Sequence, residues 1–198
     1  WVQILPWPSP QYFGVIGAGI FGSSLAHAIS QEDYLPYFWV RDDEQAKSIN
    51  QESLNPRYMG DQKLIPGSRA SRELIDIFEN CTEIIFACKS EFLLELIDMM
   101  ARNELPLRDL IITCKGFDHS SPGLYSQAFA EKLGEEALQN HYFLLSGPSF
   151  AKEILENHPT CVTLAGKNEL RLSKLQTLFS RPLFRVYRSL DLIGVELG

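Results

Sequence analysis

Gly17-Ala18-Gly19-Ile20-Phe21-Gly22 decides the fold of this chain. Residues 12–16 before it are aromatic and β-branched and read as a strand. Residues 21–30 after it carry Leu25, Ala28 and Ile29 on one helical face. A strand turning into a helix through G-x-G-x-x-G is the setting in which this motif holds a dinucleotide. Gly17 allows the tight turn, Gly19 lets a pyrophosphate approach the backbone, and Gly22 lets helix and strand pack closely. The helix N-terminus then turns unpaired N–H groups and a favourable dipole toward the phosphates. A purely structural glycine turn and a methyltransferase-type loop are the competing readings.

Outward from this loop, short β-like runs alternate with longer amphipathic ones. Further strands are expected at 37–40, 84–88, 110–114, 142–145, 161–165 and 183–187. Helices are expected at 43–51, 71–78, 92–100, 124–133, 150–157 and 169–179, with another beginning at 189–198. Asn55-Pro56-Arg57-Tyr58 opens an irregular stretch to Gly67. Ser71 is placed as a helix N-cap, with Leu74, Ile75 and Phe78 facing inward. The nearly continuous apolar run at 84–88 suits a strand covered by helices on both faces. The fold class is therefore α/β, a doubly wound, mostly parallel Rossmann-type sheet.

The chain has 198 residues, 45% hydrophobic and 22% charged, the balance of a globular protein with a sizeable core. A net charge of −7 argues against a nucleic-acid binder, so an anionic cofactor must be met by local groups. Cys81, Cys88, Cys114 and Cys161 show no CxxC pairing, which speaks against a disulfide framework and for a reducing cytoplasm. No run approaches the roughly 18 apolar residues of a membrane span. Residues 1–10 read as an irregular lead-in. His27, His119, His141 and His158 lack metal-ligand spacing, so no metal is expected. Ser146 and Ser149 have no His–Asp arrangement around them, and Glu153 is assigned a capping role.

A second loop, Ser146-Gly147-Pro148-Ser149-Phe150-Ala151-Lys152-Glu153, follows an apolar strand and turns into a helix. A ligand held by the first loop would find its reacting end here. At the end of the second strand stand Arg41, Asp42 and Asp43. An acid at this point accepts from a ribose 2′-hydroxyl and an Arg meets a 2′-phosphate, so Arg41 tips the choice toward NADP. Asp42 keeps NAD in play, and an exposed Arg neutralised by its acidic neighbours is the alternative.

Together the motifs resemble the NAD(P)-dependent glycerol-3-phosphate dehydrogenase family. The matching pieces are Val15-Ile16-Gly17-Ala18-Gly19, Trp39-Val40-Arg41, Asn55-Pro56-Arg57-Tyr58 and Leu64-Ile65-Pro66. They continue with Thr113-Cys114-Lys115-Gly116-Phe117, the second loop, and Asp191-Leu192-Ile193-Gly194-Val195-Glu196-Leu197-Gly198. The resemblance implies an oxidoreductase that interconverts sn-glycerol 3-phosphate and dihydroxyacetone phosphate with NAD(P)H and feeds phospholipid synthesis. It implies that Ile20 and Phe21 contact the dinucleotide, Arg41 its adenosine end, and Ala151 the nicotinamide. Lys115 would touch both cofactor and substrate, and Gly147 and Ser149 would line the substrate side. Tyr58 and Phe117 either flank the cofactor or pack. The small-molecule substrate is phosphorylated, and the full-length protein is open to forming a homodimer.

The same resemblance divides the chain into the lead-in at 1–10, an NAD(P)-binding domain at 11–188, and the start of a helix at 189–198. That helix would lead into a C-terminal substrate domain carrying the general base and the phosphate grip, so the chain alone is expected to be inactive. Two departures stand out: those missing groups, and Lys89-Ser90 where the family usually has a proline. Two further readings remain: a non-catalytic NAD(P)-binding module, and a related reductase of another small substrate.

Overall fold

The apolar runs of the sequence assemble into one eight-stranded sheet in the computed structural model, which describes residues 11–114 and 123–198. In chain order the elements are β1 (Gln11–Ile16), α1 (Ile20–Ile29), β2 (Tyr34–Trp39), α2 (Asp43–Glu52), α3 (Pro56–Met59) and β3 (Arg69–Ser71). Next come α4 (Leu74–Asn80), β4 (Cys81–Phe86), α5 (Glu91–Ala101), β5 (Asp109–Ile112), α6 (Tyr125–Leu133) and α7 (Glu135–His141). The chain continues through β6 (Tyr142–Ser146), α8 (Ala151–Leu155), β7 (Thr160–Ala165), α9 (Glu169–Phe179), β8 (Phe184–Ser189) and α10 (Leu192–Leu197).

The spatial order is β3-β2-β1-β4-β5-β6-β7-β8. All neighbours are parallel except β6 and β7, which run antiparallel. The chain winds outward from β1 to β3, then returns to place β4 on the other side of β1. This doubly wound, Rossmann-type arrangement puts a topological switch point at the ends of β1 and β4.

Strand side chains alternate between two cores, as the pleat requires. Phe13, Val15, Ile85, Ile111 and Phe143 meet Leu25 and Ile29 of α1 and Leu172, Leu175 and Phe179 of α9 on one face. Ile16, Ile84, Phe86, Leu110 and Leu144 meet Leu93 and Ile97 of α5 and Phe129 of α6 on the other. Glu83 and Asp109 are buried within this apolar frame, directly in register on β4 and β5. α9 supplies a cation to each: Lys174 Nζ is 2.7 Å from Glu83, and Arg171 is 2.6 Å from Asp109. His141 Nδ1 also lies 2.9 Å from Asp109.

Several local expectations are corrected. Ser71 ends the added strand β3 rather than capping a helix, and its Oγ accepts from the backbone N–H of Glu73 at 3.0 Å. Helix α4 starts at Leu74 and turns Ile77 inward, leaving Ile75 37% exposed. The stretch at 55–67 contains α3, and α7 forms beyond Gly134. The helix expected from 189 starts at Leu192, because β8 runs on to Ser189 and Asp191 caps the helix by accepting from Gly194 N–H at 2.9 Å. α10 buries Leu192 and Glu196. Glu196 accepts from the Ser126 backbone N–H at 3.0 Å and from the Ser126 and Tyr142 hydroxyls. All four cysteines are free. Among the described residues no helix is long and apolar enough to cross a membrane.

Candidate functional site

The glycine loop between β1 and α1 is shaped by two closed positions and one open one. Gly17 sits at φ +109°, and a Cβ there would lie 2.7 Å from the Ala87 carbonyl oxygen at the end of β4. A Cβ at Gly22 would lie 2.0 Å from the Gly17 carbonyl oxygen, so helix and strand pack as closely as the motif requires. A Cβ at Gly19 would meet nothing within 4 Å. Gly19 is also the N-cap of α1, with no side-chain cap hydrogen bond. The first N–H groups of α1 are thus left for an anion, and the open space above Gly19 fits a pyrophosphate.

The loop is held from outside by Asn55, which is fully buried just before α3. Its Nδ2 donates to the Ala18 carbonyl at 3.0 Å and to Ser23 Oγ at 2.8 Å. Its Oδ1 accepts from Gln45 Nε2 at 3.0 Å, and the same Gln45 nitrogen donates to Ala18 at 2.9 Å. Pro56 at the first turn of α3 is followed by Arg57 and Tyr58, which line a cleft together with Gly17, Ala18 and Gly19. The sequence marked Asn55 as the start of a break and as part of a family motif, with no role of its own. The usable signal was a short amide directly before a helix-starting proline.

A cleft of 470 Å3 opens at the switch point, lined from β1 by Gly17–Gly19, from β2 by Trp39–Asp42, from α2 and α3 by Gln45, Arg57 and Tyr58, and from β4 by Ala87–Lys89. Arg41 lies 5.7 Å over the Trp39 ring, which stacks on Phe92 at 5.2 Å. Asp42 accepts from the Gln45 backbone N–H at 2.8 Å and so caps α2. Both oxygens of Asp43 accept from Arg72, at 2.9 and 3.0 Å. Arg41, Arg57 and Lys89 make no ion pair among the described residues. A chain of net charge −7 therefore presents three unpaired cations in one cleft.

A second cleft of 290 Å3 is lined by Phe21, Thr113, Leu145 and the second loop from Ser146 to Phe150. Gly147 is at φ +152°, and a Cβ would come within 3.0 Å of Cys161 O and Val162 Cα on β7. Ser149 Oγ donates to the Gly147 carbonyl at 3.3 Å. Thr113 Oγ1 donates to Phe86 O at 2.8 Å, fixing the end of β5 against β4. Ala151 is the first residue of α8. The N-cap of α8 is Phe150, without a side-chain cap, so the capping role expected of Glu153 is not observed. Phe21 belongs to the first loop and lines the second cleft, so the structure brings it together with Gly147 and Ser149.

Ile20 opens α1 and is 47% exposed beside the loop. Lys115, Gly116, Phe117 and His119 lie outside the described residues. Cys114, just before them, has its thiol pushed up to about 12, chiefly by burial. Among the described residues no group of three or more His, Cys, Asp or Glu side chains is placed to hold a metal ion.

A family model described as NAD-dependent glycerol-3-phosphate dehydrogenase N-terminus matches residues 13–171. A protein of Leptospira biflexa named glycerol-3-phosphate dehydrogenase [NAD(P)+] is 36% identical over 186 residues, covering 93% of this chain and 55% of that protein. One of the same name from Carboxydothermus hydrogenoformans is 33% identical over 184 residues, covering 93% and 54%. The crystal structure of glycerol-3-phosphate dehydrogenase from Coxiella burnetii superposes with a TM-score of 0.81 at 27% identity, covering 96% of this chain and 57% of that one. The chain thus spans about half the length of the curated relatives it matches.

Proposed function

The chain belongs to the family described as NAD-dependent glycerol-3-phosphate dehydrogenase N-terminus, and from that premise we propose that it forms the cofactor-binding portion of an oxidoreductase interconverting sn-glycerol 3-phosphate and dihydroxyacetone phosphate. The observation that carries this reading is the position of Phe21, which follows in sequence the glycines lining the switch-point cleft and itself lines the second cleft. A dinucleotide with its pyrophosphate on the N-terminus of α1 would reach from one to the other. NAD(P)H, when bound, supplies the hydride or accepts it.

The residues of this chain hold and orient. Gly17 and Gly22 shape the loop and Gly19 admits the pyrophosphate, and Ile20 and Phe21 lie along the dinucleotide. Arg41 meets the adenosine end and favours NADP over NAD. Ala151 stands beside the nicotinamide, and Gly147 and Ser149 form the substrate side. Lys115, by family likeness, contacts cofactor and substrate, where its ammonium would hydrogen-bond the reacting oxygen or attract the phosphate. In this reading the reaction is cytoplasmic and its phosphorylated product feeds glycerophospholipid synthesis. The full activity is assigned to a protein of the relatives' length. For the 198 residues in hand, the reading is nucleotide binding.

Titration of the folded chain with NADPH and NADH, followed by nicotinamide fluorescence, tests it. Saturable binding of either supports the proposal, and indifference to both overturns it. A steady-state assay of a relative-length protein with dihydroxyacetone phosphate separates this substrate from another small ketone.

A further inference from the structure

We propose that Lys89, acting with Arg41, grips the 2′-phosphate of NADPH and is a specificity-determining residue for the phosphorylated cofactor. The inference rests on the dinucleotide reading of the switch-point cleft. Arg41 stands at the end of β2 and Lys89 at the end of β4, so the two cations face the cleft from either side of β1. An adenosine lying across the end of β1 would have its ribose between them.

The two carboxylates that follow Arg41 in sequence are already engaged. Asp42 is bound to the N-terminus of α2, and Asp43 holds Arg72 with both oxygens. Neither neutralises Arg41, and neither Arg41 nor Lys89 has an ion-pair partner among the described residues. Arg41 lies against the Trp39 ring, and that ring is fixed by stacking on Phe92 and by donating from Nε1 to Arg72 O at 2.9 Å. A guanidinium laid on an aromatic face keeps its N–H edge for a planar or tetrahedral oxyanion. Lys89 complements it as a mobile point charge with three donors. Burial raises the Cys88 thiol, and the Arg41 charge pulls it down.

A cation facing the pyrophosphate would aid NADH and NADPH alike, whereas one facing the 2′-phosphate would aid only NADPH. The experiment measures the affinity of the full chain and its Lys89→Gln and Lys89→Arg variants for both nucleotides. Lys89 is exposed, so both variants keep the fold. The expected result is a loss of about tenfold in NADPH affinity for Lys89→Gln. NADH affinity should change much less, and Lys89→Arg should recover most of the NADPH affinity. Equal weakening of both nucleotides, or of neither, overturns the assignment. Failure of the parent chain to bind either nucleotide overturns instead the dinucleotide reading beneath it.

Discussion

Asn55 Nδ2 donates to the Ala18 carbonyl oxygen at 3.0 Å, tying the centre of the glycine loop to the residue just before α3. Asn55 is fully buried and its amide is used at both ends, with Ser23 Oγ and Gln45 as the other partners. Asn55→Ala leaves Ser23 Oγ without this donor and Ala18 with Gln45 alone. Because each lost buried hydrogen bond costs about 1–3 kcal/mol, urea unfolding should register at least that much. Nucleotide affinity should fall as well, since the loop that forms the pyrophosphate cradle is loosened. Unchanged stability and affinity in the variant would remove Asn55 from this role.

Two glycines of the loop predict opposite outcomes for one substitution. A Cβ at Gly19 meets nothing within 4 Å, so Gly19→Val should stay within about 1 kcal/mol of the parent in stability while abolishing NADPH binding. Gly22→Val drives a side chain into the Gly17 carbonyl and should cost about 1–3 kcal/mol or more. Circular dichroism melts and nucleotide titration together check both halves. A Gly19→Val protein that still binds NADPH would mean the open space is not where the ligand lies.

Arg171 and Lys167 lie four residues apart in sequence and predict very different penalties. Asp109 is 3% exposed, so Arg171→Met leaves a buried carboxylate with the His141 imidazole as its remaining side-chain partner. The cost expected is about 3 kcal/mol. Lys167 pairs with an exposed Glu135, and Lys167→Met should cost about 0–1 kcal/mol. Denaturant midpoints rank the two, and Asp109→Asn in the Arg171→Met background should recover part of the loss. Equal effects would sink the idea that α9 is locked to β5 by charge.

His27 predicts an acid limb in stability. Burial lowers its pKa below the usual 6.5, so the native state holds the imidazole neutral where the unfolded chain protonates. Its contribution is complete above the unfolded value and is lost as pH falls through 6.5 toward the lower folded value. The melting temperature of His27→Gln should therefore depend less on pH than that of the parent between about pH 5 and 7. Parallel curves for the two proteins would assign the acid limb to other groups.

The sheet was readable because parallel strands are buried on both faces, which makes runs such as Ile84–Ile85–Phe86 continuous in apolar residues. β3 carried no such signal: only Ala70 of its three residues is buried, and it exists through pairing with β2. The inward residue of α4 was misplaced because Ile75 and Ile77 are alike in type, and only the start at Leu74 fixes which one faces the sheet. The glycine loop was legible since its steric rules are local. The Asn55 lock was not, because its partners Ala18, Ser23 and Gln45 come from two other segments. Arg41 was visible as a cation at a strand end. That Asp42 and Asp43 are occupied elsewhere required the positions of Gln45 and Arg72.

The unpaired cations of the cleft separate encounter from capture. Within a Debye length, about 8 Å, of most of the surface, an approaching anion meets the field of a chain with net charge −7. At the cleft it meets Arg41, Arg57 and Lys89. The protein thus discourages arrival in general and rewards it at one place. Adding salt screens the long-range repulsion and speeds association, while it weakens the contacts in the cleft and speeds release. Ionic strength would then set the exchange rate of a phosphorylated ligand more strongly than its occupancy.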